Sequence, residues 1–166
     1  MTQKEDAQQK AVIERERFNS FARTNTHITA YRFTKQQYSR YDLKMCSGNT
    51  YFLGEIKNRQ YSAAFFKSNK PYIEMQKLAS MVCEQKTILE RKKVNVNLLY
   101  LNFTVDGFVQ IYSLKGVNSY TWALKELPVD DFTPNVLVWK LVAELTEEPI
   151  ETVKLNLEKT NPVLFQ

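Results

Sequence analysis

Glu55 and Lys57 flank Ile56 in the run Tyr51-Phe52-Leu53-Gly54-Glu55-Ile56-Lys57, and Asp42 precedes them across the polar turn Ser47-Gly48-Asn49. Extended backbone sends alternate side chains to opposite faces, so Tyr51, Leu53, Glu55 and Lys57 share one side and Phe52, Gly54 and Ile56 the other. The run Tyr41 to Cys46 reads as the antiparallel partner of Thr50 to Lys57, and pairing around the turn brings Asp42 nearly level with Glu55. Two carboxylates and an amine on one half-buried face are costly unless they pair or hold an ion. Hard cations such as magnesium take oxygen ligands, keep several waters and lean on one or two protein carboxylates plus substrate phosphate. Asp42, Glu55 and the carbonyl of Ile56 would make such an open site, which manganese could also occupy. With Lys57 positioning or deprotonating a water, the expected chemistry is phosphodiester hydrolysis. The plain alternative is a solvated hairpin with a cross-strand Glu and Lys pair, worth about 1 kcal/mol or less.

These residues resemble the PD-(D/E)XK nucleases, whose signature is an acid on one strand and Glu-x-Lys on the next. Asp42, Glu55 and Lys57 are the matching positions, with a helix before and a helix after, over roughly residues 8–115. Tyr41 stands where the family's Pro would be, and Gln76 is followed by Ser80 rather than by the Tyr of the exonuclease-type members. The resemblance implies an α/β fold, a restriction-endonuclease-like mixed β-sheet flanked by α-helices, in a single domain with a strand and helix extension over 116–166. It implies a magnesium-dependent nuclease, DNA being favoured over RNA and branched or single-stranded DNA being among the expected substrates. It also implies that a Glu of the first helix faces the metal. Glu14 and Glu16 compete for that place, and Glu14, which shares a face with Phe18 and Phe21, is preferred. The second helix of such proteins often lends a Gln or Lys, which singles out Gln76 or Lys77. A homodimer, or a larger complex with a targeting subunit, would supply the specificity that no recognition helix or finger motif provides here. The rival reading is a non-catalytic nucleic-acid-binding or assembly protein that keeps the fold.

Charge is distributed unevenly along the chain. The net value is +5, but residues 1–93 carry 18 Lys and Arg against 9 Asp and Glu, while residues 94–166 carry 5 against 9. A basic half containing the site would attract a polyphosphate backbone. Lys44, Arg59, Lys67, Lys70 and Lys77 are the main candidate contacts, with Arg15, Arg17, Arg23, Arg32, Lys35 and Arg40 behind them. Arg91-Lys92-Lys93 reads instead as the basic end of a helix.

The elements that must position these residues follow from periodicity. Ala7 to Arg23 is read as a helix and Ile28 to Phe33 as a strand, followed after Lys57 by a long polar loop over Asn58 to Pro71 in which Phe65 and Phe66 either cover the site or pin the loop. Pro71 is read as the first turn of a helix running from Tyr72 to Glu90 on Met75, Leu78, Val82 and Leu89. Val94 to Thr104 and Phe108 to Leu114 make a hairpin about Asp106-Gly107. A short strand over Tyr120 to Leu124, a turn around Asp130-Asp131, a helix from Asn135 to Leu145 and a weakly ordered acidic tail from Glu147 complete the expectation, with Asn161 to Gln166 docking or dangling at its end.

Composition excludes several other classes. The chain has 166 residues with 43% hydrophobic content, one domain's worth of core. Two cysteines without CxxC spacing and a lone His27 argue against a disulfide scaffold, a zinc site or a His-centred nuclease. With no apolar signal core and no run of about 20 apolar residues, the expected setting is cytoplasmic, without membrane contact.

Overall fold

A computed structural model of the chain describes residues 3–34, 39–129 and 135–155, with side chains from Gln8 onward. A long helix, α1 (Gln3–Thr24), precedes three strands, β1 (Ile28–Phe33), β2 (Leu43–Ser47) and β3 (Thr50–Asn58). A short helix α2 (Phe65–Ser68) and a strand β4 (Tyr72–Glu74) lead into α3 (Met75–Lys92), and β5 (Val96–Phe103) and β6 (Phe108–Leu114) follow. Strands β7 (Ala123–Pro128), β8 (Leu137–Glu144) and β9 (Glu151–Lys154) close the described chain.

The fold is α/β. Six strands form a mixed sheet in the order β1-β2-β3-β5-β6-β9, and three form a second sheet in the order β4-β8-β7. Only the β3–β5 pair of the large sheet is parallel, because α3 carries the chain back across it. The β2–β3 hairpin turns at Gly48, whose φ of +57° is a left-handed conformation open to glycine without strain. The same device recurs at Gly107, φ +80°, between β5 and β6.

Side-chain alternation divides the core between the two faces of the large sheet. Phe18 and Phe21 of α1 bury against Leu43, Met45, Ile56, Leu101 and Phe103 on one face. Leu78 and Met81 of α3 bury against Leu53, Val96, Leu98 and Tyr100 on the other. Both aromatic rings of α1 and both apolar anchors of α3 are essentially inaccessible, and truncation of such a side chain to Ala costs about 2–5 kcal/mol. Sandwiching the central strands between two helices removes the backbone of β3 from water and fixes the level at which Asp42 meets Glu55.

Four expected elements differ from those observed. The segment expected to be a helix from Asn135 to Leu145 is the strand β8, which pairs with β7 on one side and β4 on the other. Its Leu, Lys, Ala and Glu favour a helix, but two flanking strands offer it a ladder, and pairing overrides local preference. For the same reason Tyr72 to Glu74 are extended, and the second helix begins at Met75 behind an extended Glu74. The short strand expected at Tyr120 to Leu124 starts later, at Ala123, after a tight turn over Val117–Ser119. The acidic tail contributes β9, which adds to the edge of β6, and Leu155 beyond it is buried. Lys35, Asp130, Asp131 and the segment Asn161 to Gln166 lie outside the described residues. Among the described residues no helix is long and apolar enough to cross a membrane.

Candidate active site

The register of β2 against β3 places Asp42 beside Glu55. Leu43 pairs with Gly54, and one residue earlier the Asp42 N–H donates to the Gly54 carbonyl at 2.9 Å. Asp42 then turns its carboxylate onto β3, where the Ile56 N–H donates to Oδ2 at 2.9 Å. Lys57, two residues beyond Glu55 on the same face, places Nζ 2.8 Å from Glu55 Oε1.

A second amine enters from α3. Lys77, in the first turns of that helix, donates to Asp42 Oδ1 at 3.1 Å and to the Ser39 carbonyl at 3.3 Å. Its Nζ also lies 2.7 Å from Glu55 Oε2. That contact is close enough for an ion pair but lacks hydrogen-bond alignment, so Glu55 Oε2 is a buried oxygen without a hydrogen-bond donor. Two acids and two amines thus converge, with Glu55 only 3% exposed.

The acids respond in opposite directions. Burial works to raise the Glu55 carboxyl, but Lys57 and Lys77 outweigh it and hold it down at about 2. Asp42 is pushed up to about 6, first by burial and then by the charge of Glu55, against the pull of both lysines. Burial likewise lifts Glu14 to about 7, although Lys57 opposes the shift. Lys57 is raised well above its ordinary value because Glu55, Asp42 and Glu14 outweigh its own desolvation. It therefore stays a cation, suited to orienting a water or a phosphate oxygen rather than to taking a proton.

Glu14 is the acid of α1 that reaches this region, its Oε1 accepting the Asn58 N–H at 3.2 Å, while Glu16 is exposed. Gln76 is also exposed, and no contact joins its side chain to the cluster among the described residues. The adjacent Lys77, expected as a phosphate contact, is the α3 residue in the cluster. Of the other basic candidates, Lys67 is exposed, Lys70 pairs with Glu148 at 2.7 Å, and Lys44 lies 3.7 Å from Glu84 and over the Tyr41 ring. Arg59 turns inward, donating to the Tyr100 hydroxyl at 2.9 Å. Arg15 and Arg17 serve backbone carbonyls of Thr34 and Thr104.

Polar residues continue across the sheet in a row that sequence reasoning passed over. Parallel pairing sets Tyr100 beside Glu55 and Asn102 beside Lys57, and Asn102 Nδ2 donates to the buried Gln110 Oε1 at 3.0 Å. The signal for this pair was present: an Asn inside the apolar run of β5, and a Gln directly opposite it once the Asp106-Gly107 turn sets the register.

The donor chemistry suits a hard divalent cation with few protein ligands. Glu55 is buried and held ionised, and Asp42 lies at its side. Among the described residues no three His, Cys, Asp or Glu side chains stand at ligand spacing, so such an ion would complete its shell with water and substrate oxygens. The Ile56 N–H is engaged by Asp42, and Lys77 presently neutralises the carboxylates an ion would share.

No protein-family model matches the chain, and no curated protein matches it.

Proposed function

We propose that this chain is a metal-dependent nuclease of the PD-(D/E)XK type, its mixed sheet a restriction-endonuclease-like one, cutting DNA in preference to RNA. The observation that carries this reading is the convergence of Asp42, Glu55, Lys57 and Lys77 on one sheet face around a buried, ionised Glu55. Desolvation of Glu55 offsets much of its attraction to the two lysines, so the cluster is a weak source of stability. Perturbed, mutually coupled groups are characteristic of reaction sites.

Magnesium bound at Asp42 and Glu55, or manganese in its place, would supply charge neutralisation and a water acidic enough to attack at neutral pH. Lys57 remains protonated and orients the attacking water while offsetting charge on the phosphoryl oxygens. On this reading Glu14, coupled electrostatically to Lys57, Asp42 and Glu55, is the α1 acid that faces the metal. Lys77 draws Asp42 and Glu55 together and limits their repulsion. The basic N-terminal half gathers the substrate strand, with a second copy or a targeting subunit providing selectivity.

One observation favours the rival, a non-catalytic nucleic-acid-binding or assembly protein: Lys77 already pairs with both carboxylates. Labelled single-stranded, double-stranded and branched DNA and RNA, incubated with magnesium, with manganese or with chelator, separate the two. Metal-dependent cutting that is lost in Asp42→Ala is expected. Binding without cutting under any metal would transfer the assignment to the rival.

A further inference from the structure

The face that carries the acids continues away from them into a cleft. One alternation step along β2 and β3 from Asp42 and Glu55 come Lys44 and Leu53, paired across the hairpin, with Arg32 of β1 beside Lys44. A further step brings Tyr51 into line with Val96 of β5. The C-terminal half of α3 closes over this region through Lys92, leaving a cavity of about 300 Å³. Its near end lies about 7 Å along the strands from the carboxylates, since each strand residue advances about 3.3 Å.

The lining is divided by chemistry. Half-buried Ile88 of α3 joins the buried Leu53 and Val96 in an apolar lining, while Tyr51, 43% exposed, stands at the side. Arg32 and Lys92 are exposed at the rim without an ion-pair partner among the described residues, and Lys44 is the third cation there. A continuous duplex presents phosphates to cations but no base faces to an apolar lining. An unpaired nucleotide presents both, a flat face that stacks without regard to sequence and phosphates on either side.

We infer that this cleft is a subsite for one unpaired nucleotide of the substrate, its base against the apolar lining of Leu53, Ile88 and Val96 beside Tyr51 and its phosphates on Arg32 and Lys92. The subsite's role next to a scissile bond rests on the nuclease reading; its capacity to bind does not. It directs the chain toward single-stranded, flapped or frayed ends, because a nucleotide must leave its stack to occupy it.

The test uses the full chain in chelator, titrated with a short fluorescein-labelled single strand and with the matching duplex, each at several salt concentrations. Tighter binding of the single strand is expected. Tyr51→Leu removes the aromatic wall, and Ala30→Trp, from an exposed β1 position lining the cleft, fills it. Both should weaken single-strand binding about 5- to 150-fold, the range for loss of one stacked base, and leave duplex binding unchanged. Arg32→Gln should weaken both probes and lower the salt slope by about 1. Native affinity for the single strand in Tyr51→Leu and Ala30→Trp, with metal-dependent cleavage intact, would overturn the subsite while sparing the nuclease assignment. A native chain that neither binds nor cuts any nucleic acid would overturn both.

Discussion

The large sheet hides Glu55, Asn102 and Gln110 from water, whereas the outer face of the β7–β8 ribbon leaves Leu124, Leu137, Trp139 and Leu141 exposed, Trp139 by 67% and Leu124 by 64%. The two regions invert the usual arrangement in opposite senses. Exposed apolar groups forgo a gain of about 25 cal/mol per Å² but incur no penalty relative to the unfolded chain. Buried charges do incur one, because each is withdrawn from water and only partly compensated by its partners. The location of that penalty, rather than the largest apolar surface, is what supports the proposed site at Asp42 and Glu55.

Removing the central charge is the strongest way to break the contrast. Glu55→Ala leaves Lys57 and Lys77 facing each other without their shared partner, and about 3 kcal/mol of stability should disappear in urea unfolding, with cleavage. The figure is at the lower end because both amines keep some solvent contact. A loss below about 1 kcal/mol would mean that the sheet treats the cluster as surface. Lys57→Ala should instead abolish cleavage with folding intact, and Lys77→Met should slow single-turnover cleavage by about 10²-fold.

The pH dependence sharpens the same comparison. Glu14 and Asp42 are raised in the folded state from 4.5 to about 7 and from 3.8 to about 6, so the native chain binds their protons more tightly than the unfolded chain. Their contribution is complete below pH 4 and is lost as pH rises through 6 and 7. Glu55, lowered from 4.5 to about 2, contributes above pH 4.5 and loses that contribution as pH falls through 2. Urea midpoints of Glu14→Gln measured between pH 4 and 8 should fall less steeply than those of the native chain. Equal slopes would place Glu14 in water.

The smallest effects belong to positions away from the cluster. Trp139→Thr on the exposed ribbon should change stability by no more than about 0.5 kcal/mol. Lys93 ends α3 with φ +56°, the one non-glycine left-handed residue described, and Lys93→Gly should add about 0.5–1 kcal/mol, measurable as a higher melting temperature.

Legibility in the sequence followed distance along the chain. The Asp42–Glu55 level was readable because the two strands join at a short turn containing Gly48, and Glu14 was separable from Glu16 because one helix face carries Phe18 and Phe21. Beta-branched and aromatic residues disclosed β1, β5 and β6. What escaped was decided by distant partners. Leu137–Glu144 became a strand because β4 and β7 flank it, and the choice between Gln76 and Lys77, open in the sequence, fell to Lys77 because the crossover sets which side of α3's first turn meets the sheet. Phe65 and Phe66, equivalent in sequence, separate in the fold: Phe66 is buried and pins the loop, whereas Phe65 stacks on Tyr61 at the surface.

The parallel pairing of β3 with β5 has a consequence in time. The loop, β4 and the whole of α3 lie between Tyr51 and Val96 in sequence, so the second side of the Glu55 strand is expected to close late. Until then the hairpin bearing Asp42, Glu55 and Lys57 assembles in contact with water, where its charges repel and attract weakly. If that closure is the late step, conservative changes at Glu55 should register in how fast the native chain opens rather than in how fast the hairpin forms.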